Sequence, residues 1–314
     1  MTRLVALVTR TDTAGEKGWL DALRREMPGE TIVAFRDLKQ TELASVEIAI
    51  VANPDPADLA RMPNLTWIHS LWAGVERLVL ELKDMPQPIV RLVDPQMAHT
   101  MSEAVLAWTY YLFRDMPAYA RQQKDKIWEE QPYRRADRTQ IGLLGLGALG
   151  LAAAARLQGA GFNVMGWSRS AKVLPGIETF SGSGGLSEML RKTDILVCLI
   201  PLTAETRGLV DAETLKALPA GASLINFARG PVVVADDLVA ALDSSHLKHA
   251  VLDVFEVEPL PVQSVLWDHP QITVLPHISA PTDRETAAKI VAGNIAGYRS
   301  SGTIPAQVDR TRGY

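Results

Sequence analysis

The chain has 314 residues, 47% of them hydrophobic and 22% charged, with a formal net charge of −4. That length suits two hydrophobic cores rather than one, and the weak negative charge gives no reason to expect nucleic acid or an anionic membrane as partner. The single cysteine, Cys198, excludes an intramolecular disulfide and a multi-cysteine metal site.

The first third alternates strand-like and helix-like segments. Residues 4–8 ("LVALV") read as a strand, and 15–27 as a helix closed by Pro28-Gly29. Further strands are predicted at 31–35, 48–52, 66–70 and 88–93, with a helix at 74–82. Such a βα series implies a mostly parallel sheet. A long helix is predicted from near Met101 to about Gln123, and the polar, aperiodic "KDKIWEEQPYRRADR" that follows reads as an arm.

A second βα series begins at Thr139. Strands are predicted at 140–145, 162–167, 194–200, 222–227, 249–254 and 272–276, with helices at 148–158, 186–192, 211–217 and 235–243. The last helix starts at "PTDRE", where Thr282 and Glu285 have the spacing of a capping box. The expected fold is α/β, with two doubly wound parallel-sheet domains of Rossmann or flavodoxin-like type. Residues 1–98 and 287–314 form a substrate domain, into which a nucleotide-binding domain, 99–286, is inserted. The joining helices would act as a hinge for closure before chemistry.

The run before residue 9 is too short for a signal sequence, and the longest apolar run, 141–155, is glycine-interrupted and shorter than a membrane span. The expectation is a soluble cytoplasmic protein. Cys198, inside "DILVCLIP", reads as a buried core thiol. His69 and His99 read as structural. His246, His249 and His269 lack ligand spacing with carboxylates, so no metal is expected.

"IGLLGLGALG" holds Gly145-x-Gly147-x-x-Gly150 between a strand and a helix. The pattern alone is weak, but this context is what a dinucleotide site demands. Gly145 makes the tight turn, Gly147 admits the backbone to a pyrophosphate, and Gly150 lets helix and strand pack closely. The N–H groups near Ala148 and Leu149 would face the anion. An acidic residue for the adenosine ribose is expected about 20 residues on. Instead the strand runs into "WSRS", and residues 161–175 contain no Asp or Glu. Arg169 would pair with a 2′-phosphate, Ser168 and Ser170 would donate to its oxygens, and Lys172 would add charge. NADP(H) is therefore the expected cofactor, with NAD(H) as the alternative.

Three later segments carry candidate chemistry. Arg229 follows the strand of "LINFARGPVV", Asp253 and Glu258 follow that of "VLDVFEVEPLP", and His277 follows that of "TVLPHISAPT". Ligands of open α/β sheets bind at the carboxyl ends of strands. An Arg, a carboxylate and a His there suit reduction of a 2-keto acid: the Arg holds the carboxylate, the His protonates the keto oxygen, and the acidic residue supports the His.

The ordered set "GLGALG", "PLTAETRGLV", "INFARGPVV", "DVFEVEPLP" and "PHISA" resembles the D-isomer-specific 2-hydroxyacid dehydrogenase family over nearly the whole chain, and most closely its glyoxylate/hydroxypyruvate reductase A branch. The resemblance implies that Arg229, Glu258 and His277 form the catalytic set and that Asp253 meets the nicotinamide carboxamide. It also implies that Pro201, Leu202, Thr206, Phe227 and Ala228 border the cofactor. "SLWAGVERL" is similar to the family's substrate loop, which would place Trp72 in the pocket wall and the N–H groups near Ala73 and Gly74 on the substrate carboxylate. A homodimer through residues 99–138 is implied too, with Trp128 as an interface residue or one that reaches the neighbouring subunit's pocket. "ISAPT" is shorter than the matching segment in many members. The longer members' regulatory domain is not expected after the last helix. The implied activity is NADPH-dependent reduction of glyoxylate or hydroxypyruvate to the D-2-hydroxy acid. A reductase for a bulkier keto acid and a non-enzymatic, co-repressor-like NAD(P) sensor remain the alternatives.

Overall fold

The apolar run at the start of the chain forms β1 (Leu4–Thr9), buried on both faces as a central parallel strand must be. The computed structural model describes residues 4–310. The chain folds as two units, one of residues up to Gln96 together with those from Thr282 on, the other Met97–Pro281.

In the first unit β1 is joined by β2 (Thr31–Ala34), β3 (Val46–Ala52), β4 (Trp67–Ser70) and the two-residue β5 (Ile89–Val90). All pair in parallel in the order β2-β1-β3-β4-β5, a flavodoxin-like arrangement. Helix α1 (Thr13–Glu26) begins where the Asp12 carboxylate accepts the Gly15 N–H at 2.7 Å, and it buries Trp19, Leu20 and Leu23. Helices α2 (Pro56–Ala60) and α3 (Glu76–Glu81) complete the crossovers. The terminal helix Arg284–Ser301 packs Ala287, Ala288, Val291 and Ile295 into the same core as α1.

The second unit takes all but the first two residues of α4 (Pro95–Phe113), and then α5 (Met116–Asp125). Its sheet contains β6 (Gln140–Leu144), β7 (Asn163–Ser168), β8 (Glu178–Ser181), β9 (Ile195–Cys198), β10 (Ala222–Asn226), β11 (Leu247–Leu252) and β12 (Ile272–Val274). Helices α6 (Ala148–Gly159), α7 (Gly182–Leu190), α8 (Ala212–Ala217) and α9 (Ala235–Asp243) cover it. The parallel strands run β12-β11-β10-β9-β6-β7-β8, so the order reverses between β6 and β9. That is the doubly wound pattern with its ligand crevice at the switch point, and both units match the expected fold class.

Several local expectations are corrected. The helix expected from Met101 starts at Pro95 and is broken at Asp115, which adopts a left-handed conformation (φ 55°). Its buried carboxylate is held there by Lys248 at 2.5 Å and Arg134 at 3.2 Å, and Pro117 starts the next helix. The strand expected at 88–93 shrinks to Ile89–Val90. Strand β8 was not expected; its polar "ETFS" buries only Phe180. The terminal helix is capped not by Thr282 but by Asp283, whose carboxylate accepts the N–H groups of Glu285 (3.0 Å) and Thr286 (2.9 Å).

Candidate active site

Strand β6 ends in the glycine loop. Gly145 has φ +109°, and a Cβ there would lie 2.8 Å from the Leu199 carbonyl oxygen, so the turn passes close under β9. A Cβ on Gly150 would lie 1.9 Å from the Gly145 oxygen. Both glycines are therefore demanded by packing. Gly147 is not: nothing lies within 4 Å of its would-be Cβ, and no side chain caps α6 behind it. A turn built only for packing would not need glycine at 147. The open space and the uncapped N–H groups fit a pyrophosphate at the start of α6.

The loop after β7 is more engaged than its sequence suggests. Ser168 Oγ donates to the Ser170 carbonyl at 2.8 Å, and Lys172 Nζ donates to the Leu146 carbonyl at 2.7 Å, bracing the glycine loop. Arg169 Nη1 lies 3.3 Å from Glu205 Oε2, with both side chains substantially exposed. Residues 161–175 hold no carboxylate, and the one that meets Arg169 comes from the loop after β9. Sequence reasoning missed Glu205. The available signal was topological, since the loops after β7 and β9 flank the one after β6.

Glu205 sits on a fixed turn. Thr206 Oγ1 donates to the Pro201 carbonyl at 2.7 Å and accepts the Thr203 N–H at 2.8 Å. Leu202, between them, is half-buried and packs against the unit's core. Phe227 and Ala228 are buried, and the Phe227 N–H is bonded to the Cys198 carbonyl at 3.2 Å.

The three candidate catalytic side chains follow β10, β11 and β12. Buried Asn226 shapes the first turn: its Oδ1 accepts the Ala228 N–H and its Nδ2 donates to the Arg229 carbonyl, both at 3.1 Å. Arg229 is half-buried, and its Nη1 donates to the Ala228 carbonyl at 2.6 Å. The next residue, Gly230, meets the second loop so closely that a Cβ would lie 2.0 Å from the Phe255 carbonyl carbon. In that loop Glu258 Oε1 accepts the Phe255 N–H at 2.9 Å, and its Oε2 lies 2.8 Å from His277 Nδ1. His277 itself has φ +54°, unusual for a residue other than glycine. Asp253, 2% exposed, holds that conformation by accepting the Ile278 N–H at 2.7 Å and the Ser279 N–H at 2.9 Å. Asp253 therefore anchors the histidine loop, a role the sequence did not suggest. With Nδ1 on Glu258, the outer nitrogen, Nε2, is the one left to exchange a proton with a ligand.

Trp72, Ala73 and Gly74 belong to the first unit. The Trp72 N–H donates to Ser70 Oγ at 3.0 Å, and the indole packs edge-on to Trp19 with centroids 6.1 Å apart. Trp72 and Gly74 line a cleft of about 30 Å³ beside Asn53, Ser70 and Arg77.

The remaining candidates are quiet. His69 is fully buried between the Ser70 carbonyl and Asn294 Nδ2, each at 2.9 Å, and burial pushes its pKa down to about 4. His99 is exposed beside Glu103 and Arg156. Burial pushes Cys198 up to about 12, unsuited to a nucleophile. Among the described residues, no cluster of His, Cys, Asp or Glu is arranged for a metal and no helix is long and apolar enough to cross a membrane. In the arm, Trp128 is 100% exposed.

Residues 106–279 match the family model of the D-isomer specific 2-hydroxyacid dehydrogenase NAD binding domain. The chain is similar over 100% of both chains to a D-isomer specific 2-hydroxyacid dehydrogenase from Xanthobacter autotrophicus, crystallised with NADPH and MES (39% identity, TM-score 0.93). It is similar over the same coverage to the NADPH-dependent glyoxylate/hydroxypyruvate reductase of Sinorhizobium meliloti, crystallised with NADP and sulfate (32% identity, TM-score 0.92). A probable 2-hydroxyacid dehydrogenase from Rhizobium etli, in complex with NADP, HEPES and L(+)-tartaric acid, matches over 100% of both chains as well (33% identity, TM-score 0.89).

Proposed function

The chain belongs to the D-isomer-specific 2-hydroxyacid dehydrogenase family, and from that premise we propose that it reduces a small 2-keto acid, glyoxylate or hydroxypyruvate, to the D-2-hydroxy acid with NADPH. Family membership makes it an NAD(P)-dependent oxidoreductase. The observation that supports proton transfer to a keto oxygen is the His277 Nδ1–Glu258 contact on a loop anchored by Asp253, with the Arg229 turn packed on the Glu258 loop.

The residues divide the work by their chemistry. The guanidinium of Arg229 binds the substrate carboxylate and orients the keto group. When bound, the nicotinamide supplies hydride to C2 of the keto acid. His277 gives the Nε2 proton to the carbonyl oxygen, so the alkoxide is neutralised as it forms. Glu258 holds the Nδ1–H tautomer and stabilises the positive charge on the ring before transfer. Gly147 and the N–H groups of Ala148 and Leu149 would hold the pyrophosphate, and Arg169 with Ser168 and Ser170 the 2′-phosphate. The backbone near Phe227 and Ala228, and the Pro201–Thr206 turn, would border the cofactor. To the first unit we assign substrate selection, through the Trp72-Ala73-Gly74 turn. The preference for small acids rests on the branch resemblance and on the reductase from Sinorhizobium meliloti.

We also assign the enzyme to the cytoplasm and a homodimer contact to residues 99–138, where Ile127, Trp128 and Tyr133 are exposed. Light scattering on the full chain tests the dimer. The catalytic assignment is tested by His277→Ala, expected to lower kcat by about 10²–10⁴ with an unchanged circular dichroism spectrum. Near-normal turnover would sink it.

A further inference from the structure

The Arg169–Glu205 pair is not part of the sequence-based account. Its two residues come from the loops on either side of the glycine loop, so the ion pair joins the flanks of the switch-point crevice. Arg169 is the cation placed to meet a 2′-phosphate. Glu205 meets Arg169 from a turn whose backbone is fixed by the Thr206 hydroxyl, which makes two backbone hydrogen bonds. Such a carboxylate cannot be neutral toward the choice of cofactor. It must give up Arg169 to a 2′-phosphate and would lie near that dianion afterwards. Toward a ribose 2′-hydroxyl the same carboxylate is a hydrogen-bond acceptor.

We propose that Glu205 sets the cofactor ratio of this enzyme: it competes with the 2′-phosphate for Arg169 and accepts the ribose 2′-hydroxyl of NAD(H), so it tempers the NADP(H) preference that Arg169 creates. This rests on the reading of Arg169 as the 2′-phosphate ligand. Exposed ion pairs are weak, which scales the effect to about two- to fivefold for each cofactor. Because the partner lies 36 positions away, no inspection of the segment after β7 alone would reveal it.

The test is binding of NADP⁺ and of NAD⁺ to the full-length protein without substrate, by calorimetry, for wild type, Glu205→Ala, Arg169→Ala and the double variant. Both side chains are exposed, so folding is not at stake, and a thermal melt confirms it. For Glu205→Ala the proposal expects NADP⁺ to bind about two- to fivefold tighter and NAD⁺ weaker, with the NADP⁺ gain shrinking in the Arg169→Ala background. If Glu205→Ala leaves the ratio unchanged while Arg169→Ala weakens NADP⁺, the role of Glu205 is overturned and the 2′-phosphate reading stands. If Arg169→Ala leaves NADP⁺ affinity unchanged, both fall together.

Discussion

Substituting Gly230 by alanine tests whether the Arg229 turn and the Glu258 loop act as one unit. Gly230 has no left-handed φ, so the change has no backbone penalty and its effect is steric. The added Cβ would lie 2.0 Å from the Phe255 carbonyl carbon, 2.3 Å from its oxygen and 2.4 Å from the Glu256 nitrogen, whereas ordinary contact begins near 3.4 Å. All three obstacles are backbone, so no side chain can swing aside, and the two loops must part by about 1.4 Å at the closest atom. Overpacking of this kind costs about 1–3 kcal/mol, which for a unit of this size lowers the melting temperature by roughly 2–10 °C. The larger effect is on chemistry. Glu258 sits on the displaced loop and holds His277 Nδ1 from there at 2.8 Å, and a misplacement of about 1 Å costs roughly 10²-fold in rate. The assay is kcat/KM with saturating NADPH, alongside NADP⁺ binding, which should be nearly unchanged, and a thermal melt. Gly293→Ala in the terminal helix, where nothing lies within 4 Å, is the control and should stabilise by about 0.5–1 kcal/mol. A Gly230→Ala enzyme within threefold of wild type would refute the reasoning.

Asp253→Asn replaces an oxygen that accepts one of the two N–H groups with an amide that can only donate, which costs about 1–3 kcal/mol. Urea denaturation should show that loss and kcat should fall, because the His277 loop is released; an unaltered kcat would separate Asp253 from the histidine. His69 makes the stability of the first unit depend on pH. Its folded pKa, about 4, lies below the ordinary 6.5, so the unfolded chain takes up the proton first. The stabilisation is complete above pH 6.5 and is lost as pH falls toward 4, at about 1.4 kcal/mol per pH unit. His69→Gln should flatten the fall in unfolding free energy between pH 7 and 5, and an identical slope would contradict this.

The strands buried on both faces were legible because a continuous apolar run has few other destinations, as at Leu4–Thr9 and Ile195–Cys198. Helix α6 was legible because Gly145 and Gly150 punctuate its start. What escaped detection depends on residues far apart. The break at Asp115 exists because Lys248, 133 positions on, neutralises its buried carboxylate. Strand β8 is polar except for Phe180 and is held by pairing to β7. At the site, the residue types of Arg229, Glu258 and His277 pointed from sequence to the strand ends where the structure places them. The devices that fix them did not: Gly230 against Phe255, Asp253 under the histidine loop, and Glu205 on Arg169 are contacts between strand ends that only the sheet order brings together.

The most direct test of the central claim is the initial rate with glyoxylate and with hydroxypyruvate, each against NADPH and NADH, followed by nicotinamide absorbance. The account predicts turnover of at least one acid, a higher kcat/KM with NADPH, and loss of that preference in Arg169→Asp. No turnover with any of the four pairs, or a preference for NADH in the wild-type enzyme, would contradict it.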